Sequence, residues 1–242
     1  MSLAFLTPDA IGEAVAARSP MERLARQAGA RIELREGWNV ATGYADGERE
    51  RALLEERVGF VDCSNLVKLE LQAERAVLAE LVAAASGGHA LEPGRAVRAR
   101  GAWWCPVTPT RALVLGDPEA AAEIRAAVAE AASAAGRAGA TVTVADLTCG
   151  LVALALVGPL AGELLARFCA IDVRPSATPV AGFRPGSVAR TPGYLLREGD
   201  QRLLILVGWA YGEYLWTVVA DAAAHLGGGP AGVDALKGSE DA

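Results

Sequence analysis

Apolar residues recur along this chain with two periods, one typical of helices and one typical of strands. Val67, Leu69 and Leu71 alternate with polar residues, and this alternation predicts a half-buried strand with one face in water. Residues 151–157 form an unbroken apolar run whose length favours a buried strand. A helical pattern follows each of these segments, so the order strand–helix is expected twice.

The same reasoning places the other elements along the chain. Helix signals begin at Thr7-Pro8 and at Ser19-Pro20, because proline is favoured in the first helical turn. Periodicity and turn residues predict the rest: strands over 31–35, 97–102, 113–115, 187–196 and 203–207, helices over 48–56, 73–85, 119–135 and 212–226, a loop over 37–47, and turns at 103–104 and 197–201.

A duplication is the strongest organisational signal in the sequence. Asp62 with Ser64 and Asp146 with Thr148 open two similar strand–helix units about 84 residues apart. Each unit alone would expose an apolar sheet face, which packing of the two units buries. We therefore predict an α+β class fold with largely antiparallel sheets, divided into an N-terminal half over 1–135, a C-terminal half over 140–236 and a tail over 237–242.

Charge and composition narrow the classes of function. The formal net charge is −6 and no long basic run occurs, which argues against a nucleic-acid partner. Every apolar run is shorter than the roughly 20 residues that span a bilayer, and the first residues do not have the pattern of a signal peptide. We therefore expect a soluble, cytoplasmic protein without membrane contact.

Cysteine and histidine usage gives no sign of a metal site. None of the four cysteines lies in a CxxC pair, and only two histidines occur. Structural zinc spacing is therefore absent, and we expect no metal and four reduced thiols.

Four strings in the right order resemble the aminomethyltransferase (glycine-cleavage T-protein) superfamily. They are residues 19–71, which contain REGWNVATGYADGERERALLEERVGFVDCSNLVKLEL, residues 154–168 (LALVGPLAGELLARF), residues 190–205 (RTPGYLLREGDQRLLI) and residues 213–236 (EYLWTVVADAAAHLGGGPAGVDAL). The second half of the chain resembles the gamma subunit of heterotetrameric sarcosine oxidase more closely still. The resemblance implies duplicated ferredoxin-like halves that form a T-protein-type folate-binding domain, without the C-terminal β-barrel.

The resemblance also indicates where a catalytic residue is expected. In T-proteins an aspartate positions the transferred amine, in a segment that corresponds to residues 95–115, and no Asp or Glu occurs there in this chain. A general acid or base must lie within hydrogen-bond reach of the reacting group, so we expect no catalytic residue. The pair Trp103-Trp104 in this segment is compatible with a ligand pocket, a subunit interface or the core.

Four residues are candidates for binding tetrahydrofolate, the cofactor that the resemblance implies. Asn65 and Leu66 replace the His and Met of the family motif Asp-x-Ser-His-Met-Gly-Lys, and Tyr194 matches a family tyrosine. Glu198 lies one residue out of register with the glutamate that binds the pterin ring. A carboxylate can accept two parallel hydrogen bonds from such a ring, although a solvated charge at a hairpin turn is an alternative reading of Glu198.

Two functional hypotheses follow, and whether the chain is an enzyme stays undecided between them. The first is a non-catalytic subunit, like the sarcosine oxidase gamma chain, in a complex that oxidises N-methyl amines or is linked to one-carbon metabolism. It requires protein partner subunits or self-association. The second is a stand-alone tetrahydrofolate-dependent aminomethyl or methyl transferase-like enzyme with a diverged pocket. A folate-type pocket reused for another small molecule is a third possibility.

Overall fold

A computed structural model describes residues 16–236. The strands are, in chain order, β1 (Ala17–Arg18), β2 (Arg31–Arg35), β3 (Trp38–Gly43), β4 (Gly59–Asp62), β5 (Val67–Ala73), β6 (Val97–Ala99), β7 (Ala102–Thr108), β8 (Arg111–Gly116), β9 (Val142–Asp146), β10 (Leu151–Val157), β11 (Phe183–Val188), β12 (Thr191–Gly199), β13 (Arg202–Gly208) and β14 (Gly229–Pro230). The helices are α1 (Glu22–Gln27), α2 (Gly47–Glu56), α3 (Arg75–Ser86), α4 (Ala121–Arg137), α5 (Ala161–Ala166), α6 (Gly212–Ala224) and α7 (Val233–Leu236). The predicted helix start at Thr7-Pro8 and the predicted tail lie outside the described residues.

The strands form three sheets. A five-stranded sheet has the order β6-β7-β8-β5-β9, a six-stranded sheet has the order β11-β12-β13-β10-β4-β14, and β1, β3 and β2 form a small third sheet. The pairs within the five-stranded sheet are antiparallel, as are the pairs that join β11, β12, β13, β10 and β4 in the six-stranded sheet. The short strand β14 runs parallel to β4. This agrees with the predicted α+β class.

Apolar side chains stack the two large sheets into four layers. One cluster joins α1, α5 and α6 to the outer face of the six-stranded sheet, and a second joins α3 and α4 to the outer face of the five-stranded sheet. A third cluster fills the space between the two sheets and is called the inter-sheet layer below. Its members include Cys63, Cys105, Leu113, Ala153 and Leu204.

The central position of β10 explains why its sequence is apolar throughout. Val152, Leu154 and Leu156 face the helices, whereas Ala153 and Ala155 face the inter-sheet layer. A strand that is buried on both faces has no position for a solvated polar residue. The predicted buried strand is therefore confirmed.

The prediction that β5 has one face in water is wrong. Val67, Leu69 and Leu71 pack against α3 and α4 as the alternation requires. The other face of the strand points toward the six-stranded sheet, and Lys68 and Glu70 are buried there. An alternating pattern specifies two different faces, but a polar face can meet a second sheet as well as solvent.

Hairpin turns account for the other errors. Three hairpins turn on two residues with positive φ, a geometry that matches the twist of the strands: Glu36-Gly37, Arg100-Gly101 and Ala189-Arg190. The predicted loop over 37–47 is therefore largely strand β3, and the turn predicted at Trp103-Trp104 lies earlier, because both tryptophans belong to β7. The predicted strand over 187–196 is two strands joined by the third turn.

Two strands cross between the halves of the sequence. β4 lies in the six-stranded sheet beside β10, and β9 lies in the five-stranded sheet beside β5. The division at 136–139 stays a prediction about the sequence, but the sheets do not follow it. Each large sheet contains strands from both sides of this division.

Candidate ligand-binding site

Two turns of the same construction lie where the repeats meet. Asp62 Oδ1 accepts a hydrogen bond from the backbone N–H of Ser64 at 2.9 Å, and Asp146 Oδ1 accepts one from the backbone N–H of Thr148 at 2.8 Å. An aspartate that bonds the backbone two residues on is a common way to stabilise a turn. The repeated Asp–x–Ser/Thr pattern therefore has one local cause in both halves.

Each hydroxyl also binds the strand of the other repeat. Ser64 Oγ accepts a hydrogen bond from the backbone N–H of Ala153 at 3.3 Å, and Thr148 Oγ1 accepts one from the backbone N–H of Lys68 at 3.2 Å. Lys68 and Ala153 consequently occupy equivalent places in β5 and β10. The duplication carries a lysine at this place in one half and an alanine in the other.

Lys68 joins the two turns through its ammonium group. Nζ donates to the carbonyl oxygens of Ser64, Leu66 and Thr148 at 2.8, 3.0 and 3.2 Å. The residue is fully buried, and this burial lowers the pKa of the amine to about 8, against the attraction of Asp62 and other acidic groups nearby. With all three N–H groups engaged, Lys68 is placed to hold the turns together and not to react.

Asp62 is a titratable group in an unusual setting. Burial raises the pKa of its carboxyl group, although hydrogen bonds from Ser19 and Ser64 and the charge of Lys68 act in the opposite direction. Its side chain lines a depression of only about 10 Å³, together with Asn65 and residues of β3. A space of this size holds about one water molecule.

The depression separates Asn65 from the other predicted folate residues. Asn65 lines it, whereas Leu66 and Tyr194 pack on the inter-sheet layer. The ring of Tyr194 stacks on that of Phe183, with centroids 5.6 Å apart and an interplanar angle of 15°. The structure thus brings Leu66 and Tyr194 to one layer and leaves Asn65 outside it.

Glu198 faces the same layer but already has a partner. Its Oε2 accepts a hydrogen bond from Nε of Arg202 at 2.9 Å, and 13% of its side chain is exposed. Burial raises the pKa of the thiols of Cys63 and Cys105, that of Cys63 to about 12, and the Glu198 charge raises both further. A carboxylate held in this ion pair is less available to a pterin ring, and two neutral thiols are poor nucleophiles.

The segment over 95–115 supplies no acid or base to the layer. From this segment the thiol of Cys105 faces the inter-sheet layer and is fully buried. Trp103 and Val107 lie on either side of it on the same face of the strand. Trp104 points to the opposite face, where its Nε1 donates to the carbonyl oxygen of Ala99 at 3.1 Å. Arg98 lies over the ring of Trp103, 5.8 Å from its centroid. The two tryptophans are thus core and edge residues of the five-stranded sheet.

The four predicted folate residues lie in two different places of the structure. Asn65 lines a space for one water, and Leu66, Tyr194 and Glu198 meet packed side chains in the inter-sheet layer. Pockets that bind molecules of this size usually have volumes of roughly 300–1,000 Å³. No step of a folate-dependent reaction can be derived from these contacts.

A cavity of that size lies elsewhere, at the margin of the two sheets. Its volume is about 380 Å³, and α3, the loop over 90–94, the β7–β8 hairpin and β11 enclose it. Arg75, Arg111 and Arg184 contribute to its wall, and none of the four predicted residues does. Sequence reasoning missed it because these arginines are far apart in the chain and meet only where the two sheets pack, with β11 beside β7.

The described residues offer no metal site and no membrane span. Within 16–236, no group of three or more His, Cys, Asp or Glu side chains is placed to hold an ion. None of the helices in this part of the chain is both long and apolar enough to cross a bilayer.

The four-layer arrangement defines the class of fold. It is the α+β fold of the aminomethyltransferase folate-binding domains, and the predicted resemblance to that superfamily is confirmed at the level of fold. No protein-family model and no curated protein matches the sequence.

Two solved structures illustrate the likeness. The chain is similar to the glycine cleavage system aminomethyltransferase T of Bartonella henselae, with a TM-score of 0.71 and 18% identity over 90% of this chain. It spans 60% of the length of that protein. It is also similar to a chain of the heterotetrameric sarcosine oxidase of Corynebacterium sp. U-96, with a TM-score of 0.57 and 23% identity over 74% of this chain and 92% of that one.

Proposed function

We propose that the chain is a non-catalytic, folate-fold subunit of a multi-subunit complex that oxidises N-methyl amines or serves one-carbon metabolism. The observation that carries the proposal is the chemistry of the segment over 95–115. The family's catalytic carboxylate has no counterpart there, and Cys105, the thiol that faces the inter-sheet layer, is buried and neutral. Without a carboxylate that exchanges protons, this segment supports packing and not transfer chemistry.

The sarcosine oxidase likeness supports a role as a subunit. That protein is a heterotetramer, and the match covers 92% of the matched chain. The reducing cytoplasm suits the four free cysteines. The closer likeness to the gamma subunit, inferred from the sequence of the second half, remains part of the proposal.

Exposed aromatic side chains suggest where a partner subunit would contact this chain. Tyr211 and Tyr214 are each 45% exposed at the start of α6, and Trp209 beside them meets Trp38 edge to face at 6.2 Å. Tyrosine and tryptophan are enriched in the centres of protein interfaces. We therefore place the partner contact on this aromatic surface, defined by Trp38, Trp209, Tyr211 and Tyr214.

Reconstitution tests the proposal. The native chain is purified by affinity, any protein that co-purifies is identified, and the oxidation of sarcosine by that protein is measured with and without this chain. We expect a stoichiometric complex and an activity that needs both components. The double substitution Tyr211→Ser and Tyr214→Ser should weaken assembly, whereas Val180→Ser, at another exposed apolar residue, should not. A monomer that never forms a complex with any amine-oxidising subunit contradicts the proposal.

A second candidate is the stand-alone tetrahydrofolate-dependent enzyme. The location of Leu66, Tyr194 and Glu198 on one layer between the sheets favours it, since these residues could line a pocket if the packing around them opened. Anaerobic calorimetric titration with tetrahydrofolate tests this candidate. Saturable binding that Glu198→Gln weakens would support it, and a flat titration at high ligand concentration would exclude it.

A further inference from the structure

The marginal cavity combines an apolar wall with arginine side chains. Its apolar lining includes Leu78, Val82, Leu91, Val107, Phe183 and Pro185. Its volume of about 380 Å³ falls within the range of small-molecule sites, which are largely apolar with a few polar groups that fix orientation.

The charge of the wall has one sign. Arg75, Arg111 and Arg184 line the cavity, and none of the described residues that line it is acidic. Glu70 lies behind Arg111 and forms an ion pair with it, so part of one positive charge is compensated. Three guanidinium groups against one carboxylate leave an excess of positive charge in a partly desolvated space.

Arg184 is fixed in place by the surrounding backbone. Its Nη1 donates to the carbonyl oxygens of Gly94 and Phe183 at 2.8 and 3.1 Å, and its Nη2 donates to that of Ala177 at 2.8 Å. Gly94 has a φ of +76°, and a Cβ atom there would come within 2.5 Å of Nη1. The backbone is therefore shaped to bring this guanidinium to the wall of the cavity.

The other two arginines differ in the donors that they leave free. Nε of Arg111 is buried without a hydrogen-bond partner, while the rest of its guanidinium bonds Glu70 and Tyr194. Arg75, in the first turn of α3, is exposed, and no hydrogen bond or ion pair of its side chain is found among the described residues. The guanidinium of Arg75 can therefore pair with an anionic ligand without the loss of an existing partner.

We propose that the marginal cavity binds a small organic carboxylate with a flat apolar body. The guanidinium fork matches a carboxylate through two parallel hydrogen bonds, and the apolar wall contacts the rest of the molecule. The proposal assigns a second site to the chain, whose lining does not include Asn65, Leu66, Tyr194 or Glu198, although its residues Phe183 and Arg111 contact Tyr194. It goes beyond the proposed function and does not depend on it.

Three probes of one shape test the charge requirement. The intact chain is titrated calorimetrically with 2-naphthoate, with the neutral 2-naphthamide and with the cationic 2-naphthylmethylammonium ion. We expect saturable one-to-one binding of 2-naphthoate, binding of the amide at least about tenfold weaker, and no measurable binding of the cation, since a hydrogen bond between charged groups contributes more than one between neutral groups.

Substitutions locate the site. Arg75→Met should weaken naphthoate binding about tenfold, because it removes a charged donor from a residue whose loss does not disturb the fold. Arg51→Met, at an exposed arginine of α2 that does not line the cavity, is the matched control and should have no effect. Ala79→Phe places a ring in the cavity and should abolish binding, with circular dichroism to verify the fold.

Each remaining outcome overturns the proposal. It fails if naphthoate does not bind at its solubility limit, if all three probes bind equally, or if Arg75→Met and Arg51→Met behave alike. Complex formation is measured separately, so failure here leaves the proposed subunit role intact, and a chain that binds naphthoate but has no partner contradicts only that role.

Discussion

The two turns that follow β4 and β9 share a backbone design and differ in their electrostatics. In both, an aspartate carboxylate bonds the backbone two residues on, and a hydroxyl bonds the opposite repeat. Yet the pKa of Asp62 is raised by burial, whereas that of Asp146 is lowered by hydrogen bonds from Thr148 and by its ion pair with Arg125, which outweigh its own partial burial. The side chain of Asp146 is 48% exposed.

Burial is the main cause of the difference in pKa, and at Asp62 the charge of Lys68 acts against it. The ammonium of Lys68 occupies the space between the turns, and the equivalent Ala153 has no side chain that could do the same. Duplication therefore preserved the hydrogen bonds that shape the backbone, while the charges diverged. The two halves of the repeat have kept the side chains that bond backbone groups. An unsatisfied buried N–H or C=O costs free energy in either half.

Removal of the lysine should produce the largest effect. Lys68→Met keeps the length of the side chain but leaves the carbonyl oxygens of Ser64, Leu66 and Thr148 without their donor. We expect a loss of about 3 kcal/mol in the free energy of unfolding, measured by urea denaturation. Gln72→Met, at an exposed position on the same face of β5, is the control and should change stability by less than about 1 kcal/mol. Equal effects would show that the ammonium does not hold the turns.

The difference in unfolding free energy between the wild type and Lys68→Met should also depend on pH, with a slightly smaller effect. The folded pKa of Lys68 is about 8, below its ordinary value of 10.5, so between these values the unfolded chain keeps a proton that the folded chain has released. The stability of the wild type relative to Lys68→Met should therefore rise from pH 8 to 10.5, by up to about 3 kcal/mol. Urea titrations at several pH values measure this difference, in which the titrations of cysteine and Tyr44 cancel. A difference that stays constant with pH would refute the lowered pKa.

Removal of the hydroxyl groups of Ser64 and Thr148 should have the smallest effects on stability. The two variants compare the buried turn with the exposed one. Ser64→Ala should cost about 2 kcal/mol, because the N–H of Ala153 and the partly buried Asp62 both lose a partner. Thr148→Val should cost about 1 kcal/mol, since the N–H of Lys68 loses a partner but Asp146 is exposed and water can replace its lost bond. Thermal or urea unfolding of the two variants gives the ranking, and the reverse order would mean that exposure of the aspartate does not govern the cost.

Much of the fold could be predicted because its signals are local. The apolar run of β10, the helices and the repeated aspartates near residues 62 and 146 are properties of short segments. The hairpin at Ala189-Arg190 was missed because neither residue is the glycine or asparagine that usually adopts positive φ, at +48° and +63° here. The packing of the strands around it, and not its own sequence, imposes this turn.

The site was less predictable because it depends on contacts between distant segments. The resemblance proposed Leu66, Tyr194 and Glu198 as folate residues, and it could not show that Arg202 already pairs with the glutamate. The burial of Lys68 was missed for the same reason, since its acceptors include Thr148, 80 residues away. Periodicity reports which residues share a face and leaves open what covers that face.

The exchange of β4 and β9 between the sheets has a consequence for how the chain reaches its native state. Asp62 in β4 pairs with Leu154 in β10, so β4 remains an unpaired edge until much of the following chain has been synthesised. Pairings between segments distant in sequence slow folding, and unpaired edges expose nascent chains to aggregation. We therefore expect slow folding for a protein of this size, with a demand for chaperones set by the connectivity of the sheets and independent of the final stability.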